Sequence, residues 1–153
     1  MSLKDCKYLF LDRDGVINVR KMGGYILSYD EFVFINGVKE AFKIFSSCFD
    51  RIVIITNQQG IGKGLMKEED FLLLSNKMID EIKQEGGRVD KIYFCSALKE
   101  EKSKMRKPEI GMGLKAKEDF KEIDFNRSIM VGDSMSDMLF GSRLSMQTVF
   151  INN

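Results

Sequence analysis

No histidine occurs anywhere in the 153 residues, which excludes a Ser-His-Asp or Cys-His nucleophile and every histidine-liganded metal site. Proton and charge chemistry must then fall to carboxylates and lysine. Cysteine is scarce: Cys6, Cys48 and Cys95 are widely spaced and odd in number, which argues against a disulfide framework and for reduced thiols. No segment approaches the ~20 apolar residues of a membrane span, and the opening Met-Ser-Leu-Lys-Asp-Cys has no apolar core of signal-peptide length. A cytoplasmic protein without membrane contact is expected. An excess of either charge is also missing, since the net charge is +1 with both signs spread along the chain. A dedicated nucleic-acid binder would carry a basic excess. Hydrophobic residues at 44% and charged residues at 31% make a globular composition, and the length suits a single domain over residues 1–153.

The most informative stretch is Tyr8-Leu9-Phe10-Leu11-Asp12-Arg13-Asp14-Gly15. Four apolar residues predict a buried strand, and two carboxylates one residue apart follow where it leaves the sheet. Asp12 and Asp14 could simply decorate a solvated turn. They could also bind a hard cation through oxygen, or divide labour between nucleophile and proton carrier.

Residues 15 to 33 hold Gly23-Gly24, Tyr25 and Tyr29 without a sustained period, which predicts an excursion beside the acidic turn. Asn36 offers an N-cap for a helix carrying Val38, Ala41, Phe42 and Phe45 at helical spacing. Arg51-Ile52-Val53-Ile54-Ile55 predicts a second strand, running into Thr56-Asn57-Gln58-Gln59-Gly60-Ile61-Gly62-Lys63-Gly64. Such a loop could cradle phosphate on backbone N–H groups, although it lacks the Walker order. From Lys67 to about Gln84, Phe71, Leu74, Met78 and Ile82 mark one helix face, with Glu68, Glu69 and Asp70 in the first turn. Lys91–Cys95 predicts a third strand, and Pro108 is expected in the first turn of a helix carrying Leu114, Ala116 and Phe120. Ser128 to Asp133 predicts a fourth strand, then a helix with Met135, Met138 and Leu139 inward, then a fifth strand over Gln147–Ile151.

Strands alternating with helices predict an α/β fold, a doubly wound parallel sheet whose ligands bind beyond the carboxyl ends of the strands. Asp12 and Asp14, Thr56 and Asn57, and Asp133 all follow strands, and Arg106 and Lys107 end the loop after the third. Unrelated turns would have no reason to share one sheet edge. Three acids without histidine favour Mg²⁺, with Thr56 and Lys107 holding the same phosphate from the other side.

The four segments Asp12-Arg13-Asp14-Gly15, Thr56-Asn57, Lys107 and Gly132-Asp133 through Asp137 resemble the ordered motifs of the haloacid dehalogenase superfamily, specifically its phosphatases. The wider matches, Asp-Arg-Asp-Gly-Val-Ile-Asn, Gly24-Tyr25, Thr-Asn-Gln-Gln-Gly-Ile-Gly-Lys-Gly, Arg-Lys-Pro-x-x-Gly-Met and Val-Gly-Asp-Ser-x-x-Asp, resemble the D-glycero-D-manno-heptose 1,7-bisphosphate and histidinol-phosphate phosphatases. The resemblance implies a Rossmann-like core with no separate cap domain. It implies that Asp12 attacks phosphorus to form an aspartyl-phosphate and that Asp14 protonates the leaving oxygen and then activates water. Asp14 needs a raised pKa for the first task, which an apolar site closing over substrate could provide. The resemblance further implies Mg²⁺ on Asp12, the Asp14 main-chain carbonyl and Asp133, with Asp137 in support. Thr56 and Lys107 would stabilise the transferring phosphoryl, while Arg13, Gly24, Tyr25, Asn57, Gln58 and Arg106 would meet a small phosphorylated sugar.

One departure stands out. The family usually carries a zinc loop of three cysteines and a histidine before Arg-Lys-Pro, whereas only Cys95 remains here, so no zinc is expected. Rival readings are a polynucleotide 3′-phosphatase, disfavoured by Arg13 and the missing basic excess, and a phosphoacceptor signalling domain, disfavoured by the third acid after the fourth strand. No nucleic-acid partner is expected, and the oligomeric state is open, a monomer sufficing.

Overall fold

The structure, a computed structural model, describes residues 2–152. Its sheet is built from β1 (Tyr8–Leu11), β2 (Arg51–Asn57), β3 (Lys91–Cys95), β4 (Ser128–Gly132) and β5 (Gln147–Phe150), all parallel, in the order β3-β2-β1-β4-β5. β1 lies at the centre and is covered on both faces, Leu9 and Leu11 facing one layer and Tyr8 and Phe10 the other. Double burial is why its sequence is an unbroken apolar run without alternation.

Helices α1 (Val38–Cys48) and α3 (Glu68–Gln84) cover the first face through Phe42, Phe71, Leu74, Met78 and Ile82. Helices α4 (Gly111–Asp119) and α5 (Met135–Arg143) cover the second through Met112, Ala116 and Phe140. Each such side chain contributes roughly 1.5–3 kcal/mol when fully buried. A short helix, α2 (Gln59–Gly62), follows β2 directly. The expected doubly wound sheet is therefore present, no separate cap interrupts it among the described residues, and none of the described helices is long and apolar enough to cross a membrane.

The strand order reverses between β1 and β4, which opens a crevice at their carboxyl ends. Register fixes what borders it. Leu11 lies opposite Ile54 on β2 and Val131 on β4, so Asp12, Thr56 and Asp133 all emerge at one rim.

Three local expectations are corrected. α1 is preceded by Gly37, not capped by Asn36, because the Ile35 carbonyl already takes the Val38 N–H at 3.1 Å. Pro108 precedes α4, which starts at Gly111, because the Lys107 backbone is held to β2 by the Asn57 amide. In α5 the inward residues are Asp137, Phe140 and Gly141, while Met135 and Leu139 are exposed. Ser134 and Asp137 form a capping box that sets the helix phase and turns Asp137 inward.

Residues 15 to 33 form the excursion. It is pinned at its base by the Val19 N–H to the Val33 carbonyl at 2.8 Å. Phe32 anchors it from within, stacked on Tyr29 and edge-on to Phe34.

Candidate active site

Lys107 is the hub of the crevice. Its ammonium is buried and donates to Asp12 Oδ1 at 2.9 Å, to Asp137 Oδ1 at 2.6 Å and to the Ile55 carbonyl at 2.7 Å, so all three protons are placed. Burial alone would lower the lysine pKa, but the Asp12 and Asp137 charges outweigh it and the ammonium titrates above its ordinary value. For Asp12 burial wins: the carboxyl is pushed up to about 7 against the opposing charge of Lys107, with Asp137 adding to the rise. Its second oxygen accepts no hydrogen bond from the described residues.

Ligand oxygens of Asp12, Asp133 and Asp137 lie within 4.8 Å of one another. Asp137 is already occupied, because its Oδ2 accepts from the N–H groups of Asp133 and Ser134 and from the Ser134 hydroxyl, at 3.1, 3.2 and 2.9 Å. That leaves Asp12 and Asp133 to offer oxygen to a cation, with Asp137 bracing the loop and the lysine. The donors are hard oxygens with no nitrogen or sulfur among them, which fits Mg²⁺. Gly15 belongs to the same design: its φ is +85°, and a Cβ there would stand 1.9 Å from Asp133 Oδ2.

Asp14 sits apart from this group. Arg13 Nη2 donates to its Oδ1 at 2.7 Å, Asn18 donates to the same oxygen at 3.0 Å, and Gln58 donates to Oδ2 at 3.1 Å. Burial would raise this carboxyl, yet the Arg13 charge and the three hydrogen bonds together hold it below the ordinary carboxylate value. Charged and amide donors thus surround Asp14, so the raised pKa that proton donation needs is not present in the free site.

Arg13 is also not where a substrate ligand would be. It is 1% exposed, lies 5.8 Å and 5.9 Å from the Phe32 and Phe71 ring centres, and leaves Nε and Nη1 without partners. It supports Asp14 from below.

A cleft of about 520 Å³ opens over these groups, lined among others by Asp12, Asp14, Gly24, Tyr25, Asn57, Gln58, Arg106, Lys107 and Asp137. Thr56 does not line it. Its hydroxyl is fully buried and accepts from Gln58 Nε2 at 2.9 Å. Arg106 does line it, with Nη1 buried and unpartnered among the described residues. The wall also holds Arg20 and Lys21 of the excursion and Gln59 and Lys63 of the loop expected to cradle phosphate, none of them singled out from the sequence as a site residue, along with Ser134. Arg20 donates to Asp133 Oδ1 at 3.0 Å, and Lys63 stands 5.3 Å from the Tyr25 ring centre. Lys63 and then Gln59, by hydrogen bonding, hold the Tyr25 phenol below its usual pKa. The adjacent Arg20-Lys21 pair in an otherwise unpatterned segment was the one available signal.

The sequence profile of the polynucleotide kinase 3 phosphatase family matches residues 7–146. The D-glycero-alpha-D-manno-heptose-1,7-bisphosphate 7-phosphatase of Campylobacter jejuni is 41% identical over 147 residues, covering 96% of this chain and 83% of that protein. The chain belongs to the heptose bisphosphate phosphatases of the haloacid dehalogenase superfamily. The D-glycero-beta-D-manno-heptose-1,7-bisphosphate 7-phosphatase of Vibrio cholerae is also 41% identical, over 138 residues, covering 86% of this chain and 73% of its own. Among solved structures, the D,D-heptose 1,7-bisphosphate phosphatase of B. bronchiseptica, complexed with magnesium and phosphate, superposes with a TM-score of 0.87 at 28% identity, covering 93% of this chain and 78% of that one.

Proposed function

We propose that this phosphatase hydrolyses D-glycero-D-manno-heptose 1,7-bisphosphate at the 7-phosphate, with Asp12 as nucleophile and Asp14 as proton carrier. The observation that carries the reading is the meeting of Asp12 with Lys107 on the floor of a cleft whose wall holds Arg106, its Nη1 without a partner among the described residues. A bisphosphate needs two anion sites, and the cleft has a cation for each.

Lys107 fixes one oxygen of Asp12, and the other is free to attack phosphorus. As the new O–P bond forms, the bond to the sugar oxygen breaks and Asp14 protonates that oxygen. Asp14 then takes a proton from the water that attacks the aspartyl-phosphate, releasing phosphate and restoring Asp12. The depressed pKa of Asp14 describes it before substrate arrives, when it stands in its base form. A phosphate dianion placed beside it raises that pKa and favours the acid form needed first. Mg²⁺, held by Asp12 and Asp133, would supply charge neutralisation for the phosphoryl oxygens when bound. Lys107 contributes the same service from the protein side, and Thr56 would join it by turning its hydroxyl proton from the Asn57 carbonyl toward the phosphoryl group.

The test is a panel of heptose 1,7-bisphosphate, histidinol phosphate and a 3′-phosphorylated oligonucleotide, each assayed with Mg²⁺. The heptose compound should give the highest kcat/KM, and Asp12→Asn should abolish turnover. Preference for the oligonucleotide, or turnover by Asp12→Asn, would overturn the reading.

A further inference from the structure

Three consecutive amides, Asn57, Gln58 and Gln59, leave the end of β2, and each joins it to a different part of the cleft. Asn57 pairs with the Lys107 backbone in both directions, at 3.1 and 3.0 Å. Gln58 spans Thr56 and Asp14. Gln59 reaches outward: its Nε2 donates to the Tyr25 hydroxyl at 3.0 Å, and its Oε1 accepts the Lys99 N–H at 2.7 Å. One planar group thus ties Tyr25 of the excursion of residues 15 to 33 to Lys99 of the loop of residues 95 to 106, the loop that brings Arg106 to the cleft. The two glycines after it let both walls come close. A Cβ on Gly60 would lie 3.2 Å from the Tyr25 ring, and one on Gly62 would lie 2.1 Å from the Ser96 carbonyl.

We infer that Gln59 is a positioning residue for substrate capture: it sets the distance between Tyr25 and the 95–106 loop, and so places Arg106 over the cleft. An amide suits this task. It donates on one side and accepts on the other, carries no charge to compete for phosphate, and does not titrate. The ends of the loop are held to β2 and its exit, by the Gln58 N–H to the Cys95 carbonyl at 2.7 Å and by Asn57 to the Lys107 backbone. Its middle is otherwise tied within itself by turns, such as the Leu98 N–H to Glu101 at 2.9 Å and the Arg106 N–H to the Ser103 carbonyl at 3.2 Å. Without Gln59 the Lys99 amide loses its partner, and the middle of the loop is no longer linked to Tyr25.

The inference rests on the proposed sugar bisphosphate reaction only for its kinetic part, so two measurements separate the failures. Amide hydrogen exchange needs no substrate: in Gln59→Ala the Lys99 N–H should exchange about tenfold faster or more, as a locally opened amide does. Kinetically, Gln59→Ala should raise KM for heptose 1,7-bisphosphate by about tenfold, the scale of one hydrogen bond lost in a confined site. Its loss on p-nitrophenyl phosphate should be smaller, because that compound does not reach Arg106. Tyr25→Phe should cost about as much as Gln59→Ala, and the double variant little more than either, since both break one link. Unchanged Lys99 exchange would overturn the positioning role whatever the substrate proves to be. Fully additive losses in the double variant would overturn it too, and would make Gln59 a direct substrate contact.

Discussion

Arg13 and Asp14, neighbours in sequence, form a 2.7 Å ion pair in which the arginine side chain is 1% exposed and the aspartate 25%. The pair therefore joins the core to the cleft. Arg13 already leaves two N–H-bearing nitrogens unpartnered between Phe32 and Phe71, so an apolar chain of similar length removes an existing cost along with the pair. Arg13→Met should shift stability by no more than about 2 kcal/mol in either direction. It should lower kcat by about tenfold, because Asp14 loses its main anchor without losing its carboxyl. Thermal melting and steady-state kinetics decide it; a collapsed melting temperature with unaltered kcat would make Arg13 purely structural.

Asp12 supports a prediction about pH. A carboxyl whose folded pKa is raised favours the folded state less as pH climbs from its unfolded value of 3.8 toward its folded value of about 7. The metal-free protein should therefore lose stability across that window. Asp14 does not mask the trend, because its depressed pKa acts below the ordinary value of 3.8. If Mg²⁺ is held by the charged form of Asp12 as proposed, its stabilising effect should be larger near about pH 8 than near about pH 5.5, by roughly 2–4 °C in melting temperature. Equal Mg²⁺ shifts at both values would remove Asp12 from the cation site.

The loop of residues 95 to 106 bears on zinc. Cys95 is buried in the core beside Tyr93 and Met112, and no group of three or more potential ligands other than Asp12, Asp133 and Asp137 occurs among the described residues. Purified protein should carry no stoichiometric zinc, and a zinc chelator should leave its melting temperature in place. One tightly held zinc per chain by metal analysis would contradict this.

Much of this arrangement was legible in the sequence for a physical reason. Strands buried on both faces must be apolar throughout, so a polar residue at their ends marks the sheet rim, as Asp12, Thr56 and Asp133 do. The face of α3 was legible because Phe71, Leu74, Met78 and Ile82 keep one spacing. Arg13 was not, since an arginine between two acids looks solvated until Phe32 and Phe71 enclose it from distant parts of the chain. The phase of α5 was hidden likewise: Asp137 turns inward to meet Lys107, 30 residues away, and this sends Met135 and Leu139 outward. Arg20 and Gln59 stood in segments already flagged, but their partners, Asp133 and Tyr25, lie far along the chain, so their particular tasks were not legible.

Arg106 and Lys107 are adjacent but face different tasks, and their variants should differ. Lys107 is enclosed by Asp12, Asp137 and the Ile55 carbonyl, so Lys107→Ala leaves two buried carboxylates without their counter-charge. It should lower stability by about 3–5 kcal/mol and depress kcat on every phosphate ester, because charge beside the reacting phosphorus is lost. Arg106 lies on the cleft wall with its Nη1 buried and unpartnered among the described residues, and its planar guanidinium is suited to paired hydrogen bonds with a second phosphate. Arg106→Ala should chiefly raise KM for heptose 1,7-bisphosphate, with a much smaller loss for p-nitrophenyl phosphate, which has no second anion to hold. Lys107→Arg serves as a second variant that keeps more of the stability lost in Lys107→Ala; it keeps the charge but cannot fit three acceptors around one nitrogen, and its deficit should again be in kcat. If Arg106→Ala loses activity equally on both substrates, Arg106 belongs at the chemical step and the second anion must be held elsewhere.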